Sequence, residues 1–251
     1  MDRSVSRVAL VTGGSRGIGR ACALALAGDG FDVAIVYHRD ADAAAGTVET
    51  IEALGRRAKP YRAAVESAED DETMVGAVLE DFGSVDTLVH AAGVASRGHA
   101  VIDTDPNELQ RVVALHALGA HHLCRLLVPT MRTRPRGDVV FVSSVAAKML
   151  AANGAPYNMA KAALEALAMT LAKEERRHGI HVNVVAPGLV VTEMGRRLVR
   201  AMGVEDITTM DANAPFGRVC RPEDVAGVVR FLCSEEAGYL TGQVITVDGG
   251  G

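Results

Sequence analysis

Short apolar runs, separated by longer stretches of mixed polarity, set the pattern of this chain. Arg7 to Thr12, Val33 to Tyr37, Ala58 to Ala63, Val85 to Ala91, Val139 to Val142, Ile180 to Ala186 and Gln243 to Val247 are brief, and most are rich in valine. Such runs read as buried strands. The stretches between them carry helix signals. Arg20 to Ala27 stops at Gly28-Asp29-Gly30, Asp40 to Leu54 closes at Gly55, and the helix opened by Ser67 and Asp70 stops at Gly83. Asp105-Pro106-Asn107-Glu108 opens another, with a capping carboxylate, a first-turn proline and an acid near the positive dipole end. That helix is apolar on more than one face and is expected to run unbroken to Pro129 or Met131, buried against the sheet and a neighbour. Pro156 starts a helix that Gly179 ends, and Pro222 starts one reaching Leu232. Strands alternating with helices specify an α/β fold, a doubly wound parallel sheet of Rossmann type with about seven strands and helices on both faces. Pro60 puts the third strand at a sheet edge, because proline cannot donate to a ladder. With 251 residues and no repeat or linker, a single domain over 1–251 is expected. Thr192 to Asp211, polar with scattered Met and Arg, reads as short mobile helices forming a substrate lid over 192–211.

The first strand meets Thr12-Gly13-Gly14-Ser15-Arg16-Gly17-Ile18-Gly19, and a helix follows at once. Strand, glycine turn and helix in that order make a phosphate cradle, in which glycines admit a pyrophosphate and the helix N-terminus faces its charge. Gly13, Ser15, Arg16, Gly17, Ile18 and Gly19 are the candidate contacts. The alternative is a tight turn that needs positive φ and nothing more. The second strand ends in Tyr37-His38-Arg39-Asp40. An acid at that end would bond the ribose hydroxyls of NAD, whereas basic groups accommodate the extra phosphate of NADP. Tyr37 holds the acidic position, and His38, Arg39 and Arg16 bring positive charge. NADPH/NADP+ is therefore the expected cofactor, unless His38 and Arg39 are merely a solvated loop.

Tyr157 and Lys161 stand one helical turn apart and project from one face. Ser144 follows the apolar strand Val139 to Val142, at the end where open α/β sheets present reactive groups. A phenol titrates near ~10. A neighbouring ammonium would lower that value and make Tyr157 a general acid or base, with Ser144 bonding the reacting oxygen. Alone, the pair is equally a buried tyrosine and a solvated lysine. His116, His121 and His122 share a helix but not the spacing that places two ligands on one face, so no metal is expected.

The net charge of −5 argues against a general nucleic-acid binder. Cys22, Cys124, Cys220 and Cys233 are scattered, which fits reduced thiols in the cytoplasm better than a disulfide framework or zinc site. Val8 to Val11 is too brief for a signal peptide, and no segment is expected to approach transmembrane length.

Together the motifs resemble the short-chain dehydrogenase/reductases, and among them the 3-oxoacyl-acyl-carrier-protein reductases. The resemblance rests on Thr12-Gly13-x-x-x-Gly17-x-Gly19, Ala92-Gly93, Ser144, Tyr157-x-x-x-Lys161, Asn183, Pro187-Gly188 with Thr192, and Tyr239 to Val244 with Val247-Asp248-Gly249-Gly250. It implies hydride delivery from NADPH to a ketone, a proton from Tyr157, a carbonyl oxygen held by Ser144, and Lys161 on the nicotinamide ribose. It further implies that Pro187, Gly188, Val190 and Thr192 line the nicotinamide, that Val65 lies at the adenine, that His90, Ala92 and Gly93 border the cofactor, and that the protein is a homotetramer joined through the 105–131 and 157–178 helices. This sequence departs from the family at three places. His116 occupies the position of the asparagine that helps hold a relay water, His90-Ala91 replaces an asparagine pair, and Ala64 replaces an aspartate near adenine. Imidazole can both donate and accept, so a relay through His116 is compatible with catalysis. Arg132, Arg134, Arg136, Arg176, Arg177 and His178 read either as a basic surface for an acyl-carrier protein or as cations at helix ends. The leading expectation is an NADPH-dependent 3-oxoacyl-thioester reductase. The alternatives are a ketoreductase for a polyketide, steroid, sugar or other small alcohol, and a catalytically silent NADPH-binding protein.

Overall fold

The computed structural model describes residues 6–250. Its strands are β1 (Val8–Thr12), β2 (Asp32–Tyr37), β3 (Ala58–Arg62), β4 (Thr87–His90), β5 (Gly137–Val142), β6 (Ile180–Pro187) and β7 (Val244–Val247). All pair in parallel, in the order β3-β2-β1-β4-β5-β6-β7. The α-helices among the described residues are α1 (Gly17–Gly28), α2 (Ala41–Ala53), α3 (Ala68–Phe82), α4 (Pro106–Val113), α5 (Gly119–Met131), α6 (Ala146–Met149), α7 (Ala155–Glu175), α8 (Glu193–Ala201) and α9 (Pro222–Leu232).

The alternating pleat explains why the central strands are apolar throughout. Leu10, Ala34, Leu88, Val139 and Val182 face one core with Met74 and Val78 of α3, Leu123 and Leu127 of α5 and Leu164 of α7. Ala9, Val11, Val33, Ile35, Val89 and Val140 face the other with Cys22 and Leu26 of α1, Ile51 of α2 and Val225 and Val229 of α9. A parallel strand covered on both sides needs hydrophobic residues on both. Pro60 lies on the outer strand β3, which among the described residues pairs only with β2. Ser67 caps α3 by accepting from Asp70 N–H, and Gly83 ends it at φ +79°.

Three expectations need correction. β4 is shorter than Val85 to Ala91, because Asp86 accepts the Val8 N–H through its side chain at 2.8 Å and Ala91 turns its N–H to the Thr12 hydroxyl. The helix from Pro106 is not uniform: a π-helical turn, Ala114–Leu118, separates α4 from α5. At its end Gly119 passes so close to the Val65 carbonyl that a Cβ there would lie 2.0 Å from the oxygen. The whole run Pro106–Met131 is also long and apolar enough, by length and composition, to cross a membrane. Here it is a core helix, with Val112, Leu123, Leu127 and Met131 buried in the sheet's cover.

Half of the anticipated basic surface is committed elsewhere. Arg132 makes two bonds to buried Glu175, Arg134 reaches Asp86 at 2.7 Å, and Arg136 and Arg7 both hold Asp138. Asp86 and Asp138 sit at the amino-terminal ends of β4 and β5, so these arginines clamp that end of the sheet. Arg176 and Arg177 stay exposed.

Candidate active site

β1 is flanked by β2 and β4, so the strand order reverses there and a crevice opens at the carboxyl ends. Gly13 at φ +67° and Gly17 at φ +54° adopt the left-handed region. A Cβ on Gly19 would lie 2.3 Å from the Gly13 carbonyl oxygen, so the turn closes onto α1 only because both are glycine. Arg16 caps α1 in extended conformation without a side-chain bond, and no acid stands in the first turn. The leading N–H groups of α1 thus have neither a capping side chain nor a neighbouring carboxylate, a donor set that fits a pyrophosphate. The Thr12 hydroxyl accepts the N–H groups of Ala91 and Ala92 at 3.1 and 3.0 Å, which ties the end of β4 to this cradle.

At the end of β2, Tyr37 is in register with Arg62 of β3. Arg62 Nε donates to the His38 carbonyl at 3.3 Å, and the His38, Arg39 and Arg62 side chains are exposed. Asp40, the nearest acid, is occupied as the cap of α2, where it accepts from Ala43 N–H at 3.0 Å. Arg16 lies 3.0 Å from Glu193 of α8 and 4.0 Å from Asp40. Sequence reasoning missed Arg62, since only the pairing of β2 with β3 puts it beside Tyr37.

Ser144, Tyr157, Lys161 and His116 do come together. Ser144 follows β5, and its hydroxyl accepts from Ala146 N–H at 3.2 Å. Tyr157 lies in the first turn of α7, after Pro156. Burial raises the phenol's pKa, while a hydrogen bond with Ser144 pulls the other way. Lys161, one turn on, is 4% exposed and donates to the Val142 carbonyl at 2.7 Å. Burial brings its pKa down to about 7, against a smaller upward pull from Glu165. The expectation that the ammonium lowers the tyrosine pKa is therefore corrected. The ammonium reaches back to the strand carbonyl and lies 5.6 Å from the Tyr157 ring centroid, and burial governs the phenol.

The His116 ring meets the Tyr157 ring edge to face, with centroids 5.4 Å apart and planes at 88°. Its Nε2 lies 2.9 Å from Val94 O and 3.2 Å from Val94 N. Burial, and then the charge on Lys161, hold its pKa well below the ordinary histidine value, so the ring is neutral.

Other sequence-derived contacts are placed differently from expectation. His90 is fully buried, its Nδ1 on the Thr12 hydroxyl at 3.1 Å, so its ring faces the core and not the crevice. Val65 and Val190 also turn their side chains into hydrophobic cores, leaving only backbone for a cofactor. Ser15 is buried and Ile18 packs against the α1 core. Pro187 ends β6, Gly188 and Thr192 are half-buried, and Thr192 caps α8 while its methyl approaches Gly17. The segment expected as a lid forms α8 and a 3₁₀ stretch, Ile207–Asn213, around its own small core of Val199, Ile207 and Val219. A cavity of about 390 Å³ under it, lined by Leu189, Met210, Phe216, Val219 and Val247, touches none of Ser144, Tyr157 and Lys161.

Comparison with known proteins matches residues 13–251 to the family described as enoyl-(acyl carrier protein) reductase. The chain is 36% identical to a 3-oxoacyl-[acyl-carrier-protein] reductase of Synechocystis over all of its length and 98% of the relative's. It is also 36% identical to an L-rhamnose 1-dehydrogenase (NAD(P)(+)) of Sphingomonas, over 97% of this chain and 95% of that one. Among solved structures, L-sorbose reductase from Gluconobacter frateurii, complexed with NADPH and L-sorbose, superposes with a TM-score of 0.90 at 31% identity, covering 99% of this chain and 98% of the other.

Proposed function

The chain belongs to the short-chain dehydrogenase/reductases, and from that premise we propose that it reduces a ketone to a secondary alcohol with NADPH. The leading substrate class is a 3-oxoacyl thioester. The observation that carries this reading is the meeting of Ser144, Tyr157 and Lys161 at the carboxyl end of β5, the same edge of the parallel sheet as the glycine turn after β1. Gly13 to Gly19 would hold the pyrophosphate, and His38, Arg39 and Arg62, with Arg16, the ribose phosphate. Backbone groups of Ala92, Gly93, Gly188, Val190 and Thr192 would border the nicotinamide. Once bound, reduced nicotinamide supplies a hydride to the carbonyl carbon.

Tyr157 donates its hydroxyl proton to the carbonyl oxygen, and the Ser144 hydroxyl holds that oxygen in place. A raised pKa keeps the phenol protonated until transfer, as suits an acid. Lys161, its ammonium anchored on Val142 O, would hold the nicotinamide ribose. His116 fixes the tyrosine ring from its edge. The 192–211 segment acts as the lid, and the protein assembles as a homotetramer, with Leu118 and Met159 offering exposed apolar surface on the expected helices.

Similarity to the rhamnose dehydrogenase and sorbose reductase favours a second reading, a small polyol or sugar as substrate. Loss of NADPH absorbance with acetoacetyl thioesters, beside a panel of free ketones and ketoses and with NADH in parallel, tests both. Turnover of thioesters supports the first reading, and turnover confined to ketoses the second. Cofactor binding without oxidation across the panel leaves only the silent binder.

A further inference from the structure

Lys161 lies on the buried face of α7, and its ammonium has one hydrogen bond, to the Val142 carbonyl at 2.7 Å. Of the chain's four lysines only Lys59 stands in a salt bridge among the described residues. A cation withdrawn from water is costly unless an opposite charge is held near it. One turn further along the helix such a charge is in place. Glu165 follows Lys161 by four residues inside α7, so the two side chains share a face, with Cβ atoms roughly 5–6 Å apart.

The position of the carboxylate is fixed from the sheet. Its Oε1 accepts the Ser143 hydroxyl proton at 2.8 Å, and Ser143 is buried. Ser143 follows Val142 directly. Two side chains one turn apart on α7 are thus fastened to two successive residues at the carboxyl end of β5, Lys161 to the first and Glu165 to the second. A glutamate without such a hold would turn its head to water, where its pull on a neighbouring charge is weak.

Other titratable groups face the ammonium as well. Tyr157, one turn back on α7, has its ring centroid 5.6 Å away, and burial keeps its proton on. His90 of β4 and His116 of the π-helical turn are buried, and burial, then the charge on Lys161, hold both rings below the ordinary histidine pKa and neutral. None of these three brings a negative charge. Glu165 does, and it pulls against the burial of the lysine.

We propose that Glu165 is a positioning residue which, held by Ser143, serves as the counter-charge that keeps Lys161 a cation. The consequence for turnover rests on the reading of Lys161 as the group that holds the nicotinamide ribose, since a charged donor grips a hydroxyl more strongly than a neutral amine.

Glu165→Gln keeps an oxygen for the Ser143 hydroxyl and removes only the charge. NMR titration of the lysine side chains in the full chain without cofactor reads the effect directly, in a spectrum of four signals from Lys59, Lys148, Lys161 and Lys173. The Lys161 midpoint should fall by about one pH unit, as for loss of an opposite charge a few ångströms away, while the other three keep theirs. Ser143→Ala leaves the charge but frees its head, and should lower the midpoint by less. Turnover is the second readout. The alkaline limb of kcat/KM for NADPH reports groups of the free enzyme, and in Glu165→Gln it should move to lower pH by the same amount. A glutamate that served only to join α7 to β5 would move neither, because the amide preserves its hydrogen bond. A Lys161 midpoint unmoved in Glu165→Gln overturns the proposal whatever the kinetics, and a midpoint that moves there but not in Ser143→Ala overturns the part given to the hydroxyl. A moved midpoint beside an unmoved limb upholds the counter-charge and fails the placing of Lys161 at the ribose. A moved midpoint in a chain that turns over no ketone fails only the functional reading.

Discussion

A Cβ on Gly93 would stand 2.6 Å from Cε1 of His116. No side chain fits there while the imidazole keeps its place, so the glycine after Ala92 serves the histidine as much as any cofactor. Gly93→Ala should displace the ring and lower kcat by up to about 10²-fold. Adding His116→Ala, which empties the space, should return part of the activity. Steady-state kinetics on the two variants decide it, and a double variant no better than the single would place the effect of Gly93 elsewhere.

Tyr157→Phe removes the proposed proton donor and keeps the ring against His116. The expected result is a kcat lower by ~10²- to 10⁴-fold with melting temperature and NADPH affinity close to those of the unaltered chain. A residual rate within tenfold of the parent would mean that another group supplies the proton.

Lys161 makes stability depend on pH. Its pKa is about 7 in the folded chain against an ordinary lysine value of 10.5. Between those values the unfolded chain binds a proton that the folded chain does not, so stability from this site rises with pH across that window. Below it both forms are charged, and the burial penalty is felt in full. In Lys161→Met the gain in Tm over the parent should therefore be greatest at about pH 6.5 and shrink toward about pH 10. Melting curves across that range check the sign, while activity is lost in the variant at every pH.

The exposed arginines beside Tyr37 should report cofactor preference. Arg39→Ala and Arg62→Ala are each expected to raise the KM for NADPH roughly ten- to hundredfold, the worth of a charge-assisted hydrogen bond, and to leave that for NADH almost unmoved. Equal losses with both cofactors would remove the ribose phosphate from this corner.

Much of the architecture is written locally. Apart from the edge strand β3, each strand is a compact and mainly apolar run, and Ser67, Asp105-Pro106 and Pro156 mark helix starts by chemistry that acts within a few residues. The glycine turn and the Tyr157–Lys161 spacing are legible for the same reason. What escaped is set across the fold. The π turn is made of ordinary helix formers, Ala-Leu-His-Ala-Leu, and is evident only where α5 meets the loop at Val65. Arg62 needs the strand register, and the destination of the Lys161 ammonium needs the carbonyl of a strand nineteen residues earlier. Arg132 and Arg134 look like free surface cations until their carboxylate partners are found on distant elements, Glu175 of α7 and Asp86 before β4.

Those carboxylate partnerships divide the molecule's duties between its two poles. The ends of the strands farthest from Tyr157 are stapled by charge, so they need no help from the segments at 145–154 and 192–211 to stay aligned. Those segments could then differ in length and shape without loosening that end of the sheet, and under the proposed reading the chemistry and the choice of substrate would be free to change separately.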